Sequence, residues 1–179
     1  MQVIQDIIAK GRINRPGAAN SCTYITVHET GNERAGATAA AHAKYVKGLN
    51  ERTSWHYTVD DSFVYQHLPD KEKSYHTSDA DANENSISVE LCVNCDGDFD
   101  KTVKNAAELV RELMTKHGIP AANIRSHRDW TGKNCPARLL ANGWGKFLAL
   151  CTADSAGNKS DKIITVGELR AMGYGAIAL

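Results

Sequence analysis

Three residues in this chain have side chains suited to binding a metal and stand where elements end: His28, His127 and Cys135. His28 closes the apolar, β-branched stretch C-T-Y-I-T-V-H (22–28), and His127 follows Ile124-Arg125-Ser126. Cys135 lies eight residues after His127, in S-H-R-D-W-T-G-K-N-C-P (126–136). Imidazole nitrogen and thiolate sulfur are the donors that zinc favours, and three protein ligands leave a fourth position open. Water at such a position has its pKa lowered to about 7, which makes hydroxide available at neutral pH. Spacing alone leaves other chemistry open. Cys135 also precedes a helical pattern, where a helix N-terminus lowers a thiol pKa, so a cysteine nucleophile with His127 or His28 as base is a rival reading. A purely structural zinc site is another.

These residues need elements to hold them. The segment 22–28 reads as a strand, as do 56–60 and 63–68, joined by Asp60-Asp61-Ser62 as a hairpin. S-I-S-V-E-L-C-V (86–93) reads as a buried strand with Ile87, Val89, Leu91 and Val93 on one face and Glu90 on the other. A short strand is expected at 124–126. Helical spacing appears in Val3, Ile4, Ile7 and Ile8, and an Ala-rich helix over 37–47 is expected to end on a Gly48 cap. A longer helix carries Val103, Ala106, Ala107, Val110, Leu113 and Met114, with Asp100 as its expected cap and Gly118-Ile119-Pro120 as its end. One or two short helices follow over 136–150, and residues 69–85 read as loop. Strands alternating with helices predict an α/β fold, a single domain with a central mixed β-sheet flanked by helices. The expected organisation is a catalytic domain at 1–151 and a linker at 152–162. A tail at 163–179 either begins a further module or packs on the domain.

The 179 residues suffice for one core. Lys+Arg and Asp+Glu each number 21, so the net charge is zero, and the chain lacks the basic field that holds phosphate backbones. Neither nucleic acid nor an anionic membrane is an expected partner, and a monomer is expected. No stretch reaches the 20 or so apolar residues of a membrane span, and Met1 to Arg12 does not read as a secretory signal. Synthesis in the cytoplasm is therefore expected. Five cysteines, an odd number, read as reduced thiols. Cys92 and Cys95 form a lone C-x-x-C that begins inside a strand and reads as packing. His42, His56, His67 and His117 read as structural.

Residues 126–136 resemble the GHRDWTGKxCP signature of the zinc amidases related to T7 lysozyme and the peptidoglycan recognition proteins. Y-I-T-V-H-E-T (24–30), W-H-Y-T-V-D-D (55–61) and N-S-I-S-V-E-L (85–91) resemble that family's first ligand strand, central hairpin and catalytic strand. The resemblance covers about residues 20–150. Within the family it is closest to N-terminal domains of endolysins from phages of Gram-positive bacteria, clostridial ones among them. It implies one Zn2+ per chain on His28, His127 and Cys135, and hydrolysis of the amide between N-acetylmuramic acid and L-alanine in peptidoglycan. It implies that Glu90 moves protons and that Lys133 stabilises the oxyanion. Glu29, Thr30 and His76 are implied to contact substrate. Asp129 and Trp130 are expected to orient the loop, and a ligating His is expected to have a partner that the sequence does not assign. Some relatives carry a catalytic Tyr where this chain has Trp55, or Tyr57 under a shifted register, so Glu90 is expected to carry that work. Many recognition proteins bind muropeptides without cleaving them and have Ser at the Cys position; Cys135 and Glu90 favour an enzyme.

Overall fold

Alternation in two adjacent strands decides which side chains meet. β2 (Tyr24–Glu29) and β5 (Ser86–Leu91) run parallel, with Thr26 opposite Ser88, Val27 opposite Val89 and His28 opposite Glu90. Successive side chains of a strand point to opposite faces. Ile25, Val27, Ile87, Val89 and Leu91, all fully buried, therefore share one face. Thr26, His28, Ser86, Ser88 and Glu90 share the other.

The computed structural model describes residues 2–153 and the short strand Ile164–Thr165. Among the described residues the sheet has seven strands in the order β6-β2-β5-β3-β4-β1-β7. β1 is Val3–Gln5, β3 is Tyr57–Val59, β4 is Val64–Gln66, β6 is Ile124–Ser126 and β7 is Ile164–Thr165. Among the described residues, the β3–β4 strand pair is antiparallel and the other strand pairings are parallel. The sheet is thus mixed and the fold α/β, as expected. The expected linker 152–162 and tail 163–179 lie outside the described residues, except for 152, 153 and the two-residue β7.

The apolar face packs against α3 (Phe99–His117) through Ala106, Ala107, Leu109, Val110 and Leu113. Leu139 of α5 (Ala137–Asn142) and Phe147 of α6 (Trp144–Thr152) complete that layer. Burial of each large aliphatic or aromatic chain contributes about 1.5–3 kcal/mol. On the other face, α1 (Ala39–Gly48) sets Ala39 and Ala43 against Ile4, Tyr65 and Cys92. Val46 packs with Ile8, Trp55 and Leu68. α1 lies over the β3–β4 side of this face. The polar row on β2 and β5 is left to α2 (Ala80–Asn85), α4 (His127–Thr131) and the loops around them.

Four local expectations need correction. The N-terminal apolar stripe is a strand, not a helix. Val3–Gln5 pairs with Val64–Gln66, and Asp6 and Ile8 continue donating N–H bonds to Gln66 and His67. A short β-branched run beside an open strand gains more from that ladder than from one helical turn. Residues 69–85 include helix α2, capped by Asp79, whose side chain accepts from the Ala82 N–H at 2.9 Å. α3 is capped by Asp98, which accepts from the Lys101 N–H at 3.0 Å. Asp100 instead sits in its first turn, where a negative charge meets the positive end of the helix dipole. Gly48 is the last helical residue of α1 and Leu49 its cap.

Candidate metal and active site

The polar face carries its own hydrogen-bonded floor. Thr26 Oγ1 lies 2.5 Å from Ser86 Oγ and accepts from Trp130 Nε1–H at 2.9 Å. Trp55 donates Nε1–H to Thr58 Oγ1 at 2.7 Å, and Thr58 Oγ1 lies 2.8 Å from His67 Nε2. His56 Nδ1 accepts from the Ser88 N–H at 3.0 Å, while its Nε2 faces the Glu72 carbonyl at 2.8 Å. His56 and His67 are fully buried, and burial lowers their pKa to about 4 and about 3. Tyr57 turns away from this face and donates its hydroxyl to Asp70 Oδ1 at 2.5 Å.

His28 stands at the C-terminal end of this floor. His127 reaches it from the first turn of α4, whose start is fixed by a capping box. The Ser126 N–H donates to Asp129 Oδ2 at 2.7 Å, and the Asp129 N–H donates to Ser126 Oγ at 3.3 Å. Gly132 ends α4 at φ +77, a left-handed conformation that costs other residues about 1–2 kcal/mol. The chain then doubles back, and the Arg128 N–H donates to the Cys135 carbonyl at 3.1 Å. Cys135 is pinned on its other side by β2, where the Glu29 N–H points at Cys135 Sγ at 3.5 Å.

His28 Nδ1 lies 3.0 Å from His127 Nδ1 and 4.0 Å from Cys135 Sγ. One donor atom from each of the three residues falls within 4.8 Å of the others, and all three residues are buried. Burial, then the nearby His76, His127 and Lys133, holds the His28 pKa well below its ordinary value. Burial and Lys133 lower that of His127. Both shifts favour the neutral ring, which is the ligating form. Burial pushes the Cys135 thiol up to about 11, against the Glu29 backbone hydrogen bond. A nucleophilic cysteine needs the opposite shift, so the cysteine-peptidase reading loses support. A cation between the three donors is what would ionise this thiol.

Glu90 stands beside His28, with Oε1 4.0 Å from Nδ1. Its Oε2 is buried and finds no hydrogen-bond partner among the described residues. Burial raises its pKa to about 8, with Lys133 opposing and Glu29 assisting. An unpartnered buried carboxylate oxygen is costly. A soft nitrogen–sulfur donor set with this oxygen beside it fits a zinc ion and its reactant. Lys133 is exposed and lines an open cleft of about 670 Å³ with Arg52, Tyr75, His76, His127 and Thr131.

The structure separates the other expected contacts. His76 lines the cleft, and its Nδ1 also lies 2.9 Å from His28 Nε2. Glu29 uses both carboxylate oxygens on the start of α5, accepting from the Arg138 and Leu139 N–H groups at 3.0 Å each. Thr30 lines a different hollow of about 330 Å³ with His42 and Tyr45. The sequence held no signal for the Glu29 cap or the His28–His76 bond, since each joins residues far apart in the chain. His117, read as structural, sits 2.8 Å from Asp70 Oδ2, which also accepts from Lys116 Nζ at 2.7 Å.

A mixed sheet with a buried His-His-Cys cluster at the C-terminal edge of its central strands defines an α/β domain whose donors could hold a metal ion. The sequence pattern of the N-acetylmuramoyl-L-alanine amidase family matches residues 18–138, and the chain belongs to that family. It is 48% identical to the amidase XlyA of Bacillus subtilis (strain 168) over 83% of this chain and 50% of that protein. It is 47% identical to CwlH of the same organism over 80% of this chain and 58% of that protein. The chain thus spans about half the length of these relatives. The structure of the catalytic domain of XlyA superposes with a TM-score of 0.82, covering 84% of this chain and 99% of that domain.

Proposed function

We propose that this chain hydrolyses the amide bond between N-acetylmuramic acid and L-alanine in bacterial peptidoglycan, with one zinc ion held by His28, His127 and Cys135. The observation that carries the reading is the unpartnered Glu90 oxygen beside the donor cluster, next to an open cleft. The family and its named amidases supply the bond to be cut. Bound there, zinc would supply a Lewis acid and a water whose pKa is lowered to about 7.

The remaining chemistry belongs to the chain. Glu90 Oε2 takes a proton from the attacking water and returns it to the amide nitrogen, which leaves only when protonated. A carboxylate whose pKa is raised by burial serves in both directions near neutral pH. Lys133 Nζ places positive charge where the carbonyl oxygen becomes an oxyanion. Trp55 cannot transfer protons, and its indole N–H is already spent on Thr58. The cleft edged by Arg52, Tyr75 and Thr77 receives the glycan–peptide strand. The setting is wall lysis of the endolysin kind, by a phage-type antimicrobial hydrolase acting as a monomer, with neither nucleic acid nor membrane as partner. Among the described residues no helix is long and apolar enough to cross a membrane.

The test is to incubate the chain with purified peptidoglycan and sequence the new amino termini. L-alanine termini appearing with time support the reading. Wall binding without release would make the chain a recognition module.

A further inference from the structure

We infer that His76 is a positioning residue that locks His28 in the tautomer presenting a bare Nδ1 to the donor cluster. The inference rests on reading that cluster as a metal site. The starting point is a backbone carbonyl. His76 Nε2 lies 3.2 Å from the Ala82 carbonyl oxygen, which can only accept, so His76 Nε2 carries a proton. In a neutral ring, Nδ1 is then the acceptor. His76 Nδ1 lies 2.9 Å from His28 Nε2, so His28 Nε2 must donate. The lone pair of His28 is thereby left on Nδ1, the atom 3.0 Å from His127 Nδ1 and 4.0 Å from Cys135 Sγ. One carbonyl sets two rings in series.

The chain fixes each link. Ala82 belongs to α2, and its carbonyl also accepts from the Ser86 N–H at the helix end. The His76 N–H donates to Asn83 Oδ1 at 2.9 Å, and Asn83 Nδ2 donates to the Thr77 carbonyl at 3.0 Å. The loop before α2 and the helix itself are thus tied together, and His76 is clamped between them. Its ring meets that of His28 edge-on, with 5.0 Å between centroids and 88° between planes. A ligating imidazole held this way loses no affinity to the wrong tautomer, and removal of such partners lowers metal affinity about 10- to 100-fold.

The experiment uses the full chain and zinc itself, competed against a chromophoric chelator. His76→Leu removes both hydrogen bonds, and His76→Gln restores an acceptor and a donor. H76L should bind zinc at least about 10-fold more weakly than the parent, with H76Q recovering most of the loss. Nitrogen-15 spectra of the metal-free parent should show His28 protonated on Nε2. Equal zinc affinity in H76L and the parent would overturn the inference, as would H76Q binding no better than H76L. If H76L does not fold, the parent's spectrum decides: a proton on His28 Nδ1 overturns it. A parent that binds no zinc would instead refute the metal site and leave the tautomer measurement standing.

Discussion

His28 and Glu90 face each other across two parallel strands, Nδ1 to Oε1 at 4.0 Å, because β2 and β5 pair in a register that sets the two residues directly opposite. A slip of one residue would turn either side chain to the opposite face of the sheet, among Val27 and Val89. The nearness of Glu90 to the His28–His127–Cys135 cluster is therefore a property of strand register, held by the apolar side chains on the other face.

Glu90→Gln keeps the shape and removes the carboxylate proposed to carry the proton. Turnover on peptidoglycan should fall about 10²- to 10⁴-fold, with zinc content and melting temperature near those of the parent. Full turnover in E90Q would remove Glu90 from the chemistry.

Cys135→Ser replaces a soft donor with a hydroxyl that rarely ionises beside zinc. The variant should lose most of its zinc on dialysis while staying folded, since Cys135 contributes little to the apolar layer formed by α3 and α6. Circular dichroism and metal analysis on the same sample check both parts. Retained stoichiometric zinc would mean that Cys135 is not a ligand.

His56 and His67 predict a loss of stability in mild acid. Burial depresses both folded-state pKa values, to about 4 and about 3, from an ordinary 6.5. The unfolded chain takes up these protons first, so the stabilisation is complete above about pH 6.5 and is lost as pH falls toward 4 and 3. Each histidine steepens the slope by up to about 1.4 kcal/mol per pH unit. Urea midpoints measured from pH 7.5 down to 4.5 should decline, and His56→Gln should flatten the decline. A flat profile in the parent would show these rings to be protonated or exposed.

Gly132→Ala should cost about 1–2 kcal/mol, because the loop returning to Cys135 needs a left-handed residue there. Zinc affinity should fall with it, as the strain is relieved by moving Cys135. Urea unfolding gives the first quantity and chelator competition the second; no change in either would free the loop from that conformation.

The sequence made the strand-borne part of the site legible. Alternation in 86–93 places Glu90 opposite the Val89–Leu91 face, and His28 ends a β-branched run. What stayed hidden was non-local. Glu29 precedes the start of α5 by about 110 residues in the chain, so no pattern within a window links the carboxylate to its amides. The His28–His76 bond depends on α2, a six-residue helix without a long apolar stripe, too short for periodicity to reveal. Val3 to Ile8 misled for a related reason: four apolar residues at helical spacing also fit a strand, and only the neighbouring β4 decides between them.

The central claim is tested most directly by metal content measured alongside alanine-terminated product. One zinc per chain should accompany cleavage, a strong chelator should abolish both, and added zinc should restore both. Cleavage that proceeds unchanged in the zinc-free protein would contradict the account.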